Sequence, residues 1–360
     1  MSLPKTTRAW IFQNPITDAI DLSSNSPEAT FVLKELPLPS ALPDDSLLLQ
    51  TLYISNDPAF RLFVQADAGA VNRSRKKIPG AEKGAPMKCV AVLRVLKVGG
   101  GGQGSIKEGD VVQGVSSWSE FAVLKKAEVT VVQQIPGFGP ESSLGALGFT
   151  GLSAYFCLVD TLNPKKTDTI VVSGAAGAVG NVAVQYAKNV LGIKRVVGIA
   201  GTEKKCEWLR AIGADAAVNY KSPTFSQDLV DATPDGIDKY FDNVGGAILD
   251  EVLLSMNDHG IIGACGAIST YTSGYGVNLT NYGMIVTNKL ELKGYHVMDY
   301  VSRMGEGVIA LIEAAKAGKL QVGGAETIVD LRGKFEDVPK VWNGLFEGTN
   351  TGKLITKVAD

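Results

Sequence analysis

Residues 168–190, DTIVVSGAAGAVGNVAVQYAKNV, constrain the fold more than any other stretch. Thr169 to Ser173 are β-rich and apolar, which suits a strand buried on both faces of a parallel sheet. Gly174, Gly177 and Gly180 follow in a GxxGxxG spacing, and an alanine- and valine-rich helical pattern runs on from Val179. The first glycine permits a tight turn, the second lets backbone approach a pyrophosphate, and the third lets helix and strand pack closely. The helix N-terminus then turns its unpaired N–H groups and positive dipole end toward the phosphates. Strand, turn and helix in this order predict a dinucleotide site along Gly174, Ala176, Gly177, Ala178, Val179 and Gly180.

The surroundings of this unit divide the chain. Up to about residue 125, segments such as TFVLKEL, SLLLQTLYIS, CVAVLRVLKV and SEFAVLK are short and apolar or β-branched. Pro- and Gly-rich turns separate them, the pattern of a barrel or sandwich. Gly99 to Gly102 reads as a loop tip with no helix after it. From Ala146 the period turns helical, and strands then alternate with helices: TIVVS, helix 180–191, RVVGIA, helix 203–212, AAVNY, helix 224–232, KYFDNV, helix 247–257, GIIGACG. That succession predicts an α/β fold with a doubly wound parallel sheet. The strand LELKGYHV and a helix at 304–318 come next, and the tail returns to β character in ETIVDL and GKLITKV. The expected domains are a β-rich one, 1–135 plus 322–360, and a nucleotide-binding one inserted in it, 136–321.

Composition narrows the function. With 360 residues, 45% hydrophobic and 20% charged, the chain has the make-up of a globular protein with two cores. A net charge of −2 gives no electrostatic reason to expect nucleic acid or an anionic membrane as partner. The start MSLPKTTRAWIF lacks the apolar core of a signal peptide, and no run is long enough for a membrane span, so the expected location is cytoplasmic. The four cysteines, Cys89, Cys157, Cys206 and Cys265, form no CxxC pair. His259 lies in an NDHG turn signal, and His296, in ELKGYHV, is either a packed histidine or part of a pocket wall. No metal site is expected from this set.

The strand RVVGIA ends where a carboxylate normally grips the ribose of NAD. Here Gly201 stands there, followed by Thr202, Glu203, Lys204 and Lys205. A 2′-phosphate is not repelled, and Lys205 can add a charge-assisted bond worth about 1.5–3 kcal/mol. Glu203 is the competing group, since it can itself turn to the ribose. NADP(H) is the expected cofactor.

The residues now on the page resemble a family. LYISNDPAFR (52–61), GFTGLSAYF (148–156), GAAGAVG (174–180), VNYK (218–221), YFDNVGG (240–246), GACGAISTY (263–271) and NTGK (350–353) are together similar to the zinc-free medium-chain dehydrogenases/reductases of the leukotriene B4 dehydrogenase and prostaglandin reductase group, which includes plant and fungal double-bond reductases. The resemblance spans nearly the whole chain. It implies a Rossmann domain inserted in a GroES-like β-rich domain, a dimer (with a monomer as the alternative), and NADPH-dependent reduction of the C=C bond of α,β-unsaturated ketones and aldehydes. It makes Gly177, Gly180, Lys205, Tyr220, Asn243, Gly266, Ala267 and Asn350 cofactor contacts. Lys205 and Tyr220 would flank the 2′-phosphate, Asn243 would lie near the nicotinamide, and Asn350 would reach in from the other domain. Tyr53 and Tyr271 would face the substrate. The stretch 62–87 departs from the family pattern.

Conjugate reduction suits a chain without metal ligands. Hydride reaches the β-carbon, the charge appears on the carbonyl oxygen, and one or two hydrogen-bond donors suffice to stabilise it. A tyrosine hydroxyl, with an ordinary pKa of about 10, can donate and later supply the proton. Tyr271 and Tyr53 are the candidates. Two other readings stand beside this one: a zinc-free quinone reductase, and an NADPH-binding protein with little catalysis. The edge strand near LELKGYHV offers a route to a homodimer by pairing with its copy.

Overall fold

The computed structural model describes residues 3–17, 19–23, 26–66, 80–100, 105–271 and 278–360. The chain folds as two compact units: residues 1–144, 328–349 and 354–360 form the first, and 145–327 with 350–353 form the second.

The first unit opens with β1 (Thr6–Phe12), β2 (Phe31–Pro37), β3 (Ser46–Ser55), β4 (Lys88–Val98), β5 (Val111–Ser117), β6 (Phe121–Lys125) and β7 (Val129–Val131). β1 and β2 pair antiparallel, while β3, β4, β5 and β7 lie side by side with β6 also on β3. The apolar runs of β3 and β4 bury Leu47, Leu49, Ala91 and Leu93 completely. Trp118 and Trp342 close this core with Phe31, their rings 5.5 Å apart and that of Trp118 5.1 Å from Phe31. Gly101, Gly102 and residues 67–79 of the unusual 62–87 stretch lie outside the described residues.

The second unit begins with α1 (Phe149–Phe156), which continues in wider π-type turns to Leu162. Then come β8 (Thr169–Val172), α2 (Ala178–Gln185), β9 (Arg195–Ala200), α3 (Glu203–Ala211), β10 (Ala216–Asn219), α4 (Phe225–Ala232), β11 (Ile237–Asp242), α5 (Gly246–Leu253), β12 (Met256–Ala264), α6 (Gly283–Thr287), β13 (Glu291–Gly294) and α7 (Met304–Lys316). The chain returns through β14 (Glu326–Asp330), α8 (Val338–Glu347) and β15 (Lys353–Lys357) to the first unit's sheet, where β15 pairs with β3.

The second unit's sheet runs β10-β9-β8-β11-β12-β13, all parallel. This is the doubly wound α/β sheet expected, a Rossmann fold beside a separate β-rich domain. The chain goes outward one way from β8 and then resumes at β11 on β8's other side. The strand order therefore reverses between β8 and β11, and ligands of open α/β sheets bind at the carboxyl end of such a reversal. Ile170, Val171 and Val172 are wholly buried, as a strand covered on both faces must be.

Several expected boundaries move. The helix expected over 247–257 stops at Leu253, because Met256 already pairs with Ile237 as the start of β12. His259 is not in a turn: it occupies a bulge inside β12, where the register against β11 shifts and its φ is 62°. LELKGYHV supplies only the four residues of β13, at the edge of the sheet, and His296 beyond it is exposed rather than lining a pocket. The tail read as β also contains α8.

Candidate active site

The glycine turn carries its roles in its geometry. Gly174 has φ 57°, a left-handed conformation that favours glycine. At Gly180 a Cβ would stand 2.4 Å from the Gly174 carbonyl oxygen and 2.6 Å from Ala175 Cα, so the residue is glycine to let α2 pack on the turn. Gly177 caps α2 with φ −85°, and a Cβ there would meet only the Gly174 oxygen, at 3.1 Å. The missing side chain at 177 serves no left-handed conformation, and its packing constraint is milder than that at Gly180. It leaves the first turn of α2 approachable.

Asn350 belongs to this unit rather than reaching in from the other one. Gly352 N–H donates to the Ala176 carbonyl at 2.7 Å, which lays residues 350–353 along the glycine turn. Asn350 Nδ2 donates to Gly352 O at 2.6 Å, holding that short segment in shape.

Across the reversal, the loop after β11 is tied to the turn. Asn243 Nδ2 donates to the Ser173 carbonyl at 2.8 Å, and Asn243 N–H donates to Ser173 Oγ at 3.0 Å. Behind it, Asp242 is only 2% exposed. Its Oδ1 accepts from Ser173 Oγ, Tyr240 OH, Val244 N–H and Gly245 N–H, all within 3.1 Å. Burial pushes this carboxyl above its ordinary value, against the pull of those donors. Its carbonyl oxygen accepts from Cys265 N–H at 2.9 Å and Gly266 N–H at 3.0 Å. One buried residue therefore joins the ends of β8, β11 and β12. Asp242 is not among the residues expected from the sequence, although a carboxylate inside the apolar YFDNV was the available signal.

Gly266, Ala267 and Tyr271 complete this edge. A Cβ on Gly266 would lie 3.1 Å from Asn243 O and 3.5 Å from the Tyr271 hydroxyl. Ala267 N–H points at that hydroxyl, 3.4 Å away. Tyr271 is buried, so its ring is fixed while its oxygen stands at the loop backbone.

At the end of β9, Tyr220 covers Gly201: a Cβ there would be 2.9 Å from the ring. Thr202 Oγ1 caps α3, accepting from Lys205 N–H at 3.3 Å. Glu203 is engaged by Asn219 Nδ2 at 3.1 Å. Lys205 is partly buried, and its ammonium is held below the ordinary lysine value by burial first and by Lys221 second. Lys221 Nζ also lies 5.8 Å from the centre of the Tyr220 ring. Two lysines and a tyrosine thus surround a position without an acid. Lys221 is an addition to the sequence-predicted set; within VNYK nothing marked it off from a solvated lysine.

Tyr53 lies in the β-rich unit, in β3 between β15 and β4, opposite Lys357 and Val92. Burial raises its phenol above the ordinary value, Glu141 adds to this, and Lys357 opposes it. Among the described residues no three His, Cys, Asp or Glu side chains group as metal ligands. None of their helices is long and apolar enough to cross a membrane.

Comparison with known proteins gives this geometry its family. Residues 20–132 match a family described as the N-terminal domain of oxidoreductases, and 178–314 one described as zinc-binding dehydrogenase. A Bacillus subtilis relative, YfmJ, is 37% identical over 92% of this chain and 93% of its own. The 2-alkenal reductase (NADP(+)-dependent) of Nicotiana tabacum is 32% identical over 92% and 93%. The chain belongs to the medium-chain dehydrogenase/reductase family, in its double-bond reductase group. A solved structure of Vibrio vulnificus CurA in complex with NADPH superposes on this dehydrogenase/reductase with a TM-score of 0.83, at 26% identity, over 98% of this chain and 99% of that one. The second description names zinc, and among the described residues no group of three His, Cys, Asp or Glu side chains is placed to hold it.

Proposed function

We propose that this dehydrogenase/reductase uses NADPH to reduce the C=C bond of α,β-unsaturated ketones and aldehydes. The observation that carries the reading is the meeting of Asn243, Gly266, Ala267 and the Tyr271 hydroxyl at the carboxyl edge beside the strand-order reversal. The nearby glycine turn, open at Gly177, suits a pyrophosphate, and Lys205, Lys221 and Tyr220 suit a 2′-phosphate. The complex of CurA with NADPH and the name of the tobacco reductase support the same cofactor and reaction class.

NADPH, when bound, supplies the hydride. Asn243, locked to Ser173, shapes an edge that would take the nicotinamide, and Gly266 carries no side chain into it. The Tyr271 hydroxyl takes the N–H of Ala267 on its oxygen and directs its own hydrogen to the substrate carbonyl oxygen, where negative charge collects. It then serves as the proton source for that oxygen. Tyr53, whose phenol burial raises above the ordinary value, is the second candidate donor.

Tyr271→Phe tests the assignment. Loss of one such donor lowers kcat by about 100-fold or more, with the Kd for NADPH changed by less than about twofold. An unchanged kcat removes Tyr271 from the mechanism.

A further inference from the structure

Beneath the Gly266–Ala267 loop are two cysteines that the proposed chemistry does not use. Cys157 is fully buried at the point where α1 passes into its wider turns, and Cys265 is half-buried one residue past the end of β12. Residues 263 and 265 fall on the same side of the strand line, since side chains alternate along a strand. Position 263 is glycine, and the Cys157 sulfur lies 3.1 Å from where its Cβ would be. On that side the Cys265 thiol is near enough to act on Cys157 electrostatically, adding to the upward push of burial on its thiol. Tyr295 stands beside both sulfurs.

We propose that Cys157 and Cys265 are a reversible redox pair through which hydroperoxides weaken cofactor binding. A peroxide oxygen attaches to the Cys265 sulfur, the O–O bond breaks, and water leaves, giving a sulfenic acid. The Cys157 sulfur then attacks the Cys265 sulfur; the S–S bond forms, the S–O bond breaks, and the hydroxide leaves as water with the Cys157 proton. Two thiols and one hydrogen peroxide become one disulfide and two waters. Cys265, the more exposed of the two, is the one an oxidant can reach, and Cys157 is the thiol beside it. Closing the pair to the ~2.05 Å of a disulfide pulls on Cys265. Its N–H and that of Gly266 both hang on the Asp242 carbonyl, so the pull is delivered to the edge on which Asn243, Gly266 and Ala267 lie. The consequence for NADPH rests on the cofactor placement proposed above; formation of the disulfide does not.

The full-length protein is treated with hydrogen peroxide, digested without reductant, and weighed by mass spectrometry, with NADPH affinity read by fluorescence on the same sample. The expected product is a peptide pair joined through Cys157 and Cys265, lighter by two hydrogen atoms and separated by dithiothreitol. Its formation weakens NADPH binding by about fivefold or more, reversibly, and by linkage saturating NADPH disfavours the disulfide by the same factor. Cys157→Ala binds NADPH normally, forms no joined peptide, and keeps its affinity after peroxide; Cys265→Ser also forms none. The proposal is overturned if Cys265 goes on to sulfinic acid with no joined peptide, if the joined form binds NADPH as tightly as the reduced one, or if peroxide weakens Cys157→Ala equally. A joined peptide in a protein that binds no NADPH in either state sinks the cofactor reading instead, and with it the proposed regulatory consequence.

Discussion

Asp242 takes four donors on one carboxylate oxygen, two of them the backbone N–H groups of Val244 and Gly245. Removing the acceptor strands buried donors at about 1–3 kcal/mol each. Asp242→Ala therefore loses about 3 kcal/mol or more of stability in denaturant titrations, while Asp242→Asn, which keeps an oxygen, loses less than half as much. The sign of the pH effect follows from burial raising this carboxyl in the fold. Its stabilising contribution is complete below the unfolded value and is lost as pH rises through the raised one, and Asp242→Asn removes that dependence. Equal losses for the two variants would show that the acceptor oxygen is not what matters. At the other end of the site, Lys205→Ala raises the Kd for NADPH about 10- to 100-fold and leaves NADH within about twofold. Because burial and Lys221 lower the Lys205 pKa, the affinity for NADPH declines with rising pH before an ordinary lysine would titrate, and that for NADH stays flat. Equal effects on both cofactors would refute the 2′-phosphate role. Lys205 was legible in the sequence because Gly201 stands at the end of β9 where a carboxylate would grip the ribose. Asp242 was not: its donors come from positions 173, 240, 244 and 245, and only the placement of β8 beside β11 joins them.

Among elements, the β8–α2 unit is where sequence and structure agree most closely, because every determinant of it is local. The two glycines there are separable by experiment. Gly180→Ala forces a methyl to within 2.4 Å of the Gly174 oxygen and destabilises the fold by about 1–3 kcal/mol. Gly177→Ala has 3.1 Å to the same oxygen, so its thermal unfolding shifts less than that of Gly180→Ala while NADPH binding weakens about tenfold or more. A Gly177→Ala protein that binds NADPH normally would contradict a pyrophosphate at that turn. Elements set by distant partners were less legible. α5 ends where β12 begins to pair with β11, yet the run ILDEVLLSM keeps a helical pattern past that point. α8 was hidden by Pro339 and Gly344, which look like breakers. Proline is tolerated in a first helical turn, and Gly344 is kept small by Thr349, whose Oγ1 would lie 2.8 Å from a Cβ.

For the molecule as a whole, the change of period near Ala146 and the return to strands at the tail made two folding units visible in the sequence. The strand order, and with it the place where the chain reverses between β8 and β11, became visible only in the folded sheet. That reversal collects the glycine turn, the Asn243 loop and the Tyr271 loop at one edge, where the proposed reaction passes hydride from NADPH to a carbon–carbon double bond. Product analysis of NADPH oxidation with a simple enone tests it most directly. The expected product is the saturated ketone, formed one for one with NADPH consumed, with NADH slower by about tenfold or more. An allylic alcohol as product, or turnover of quinones with none of enones, would contradict it.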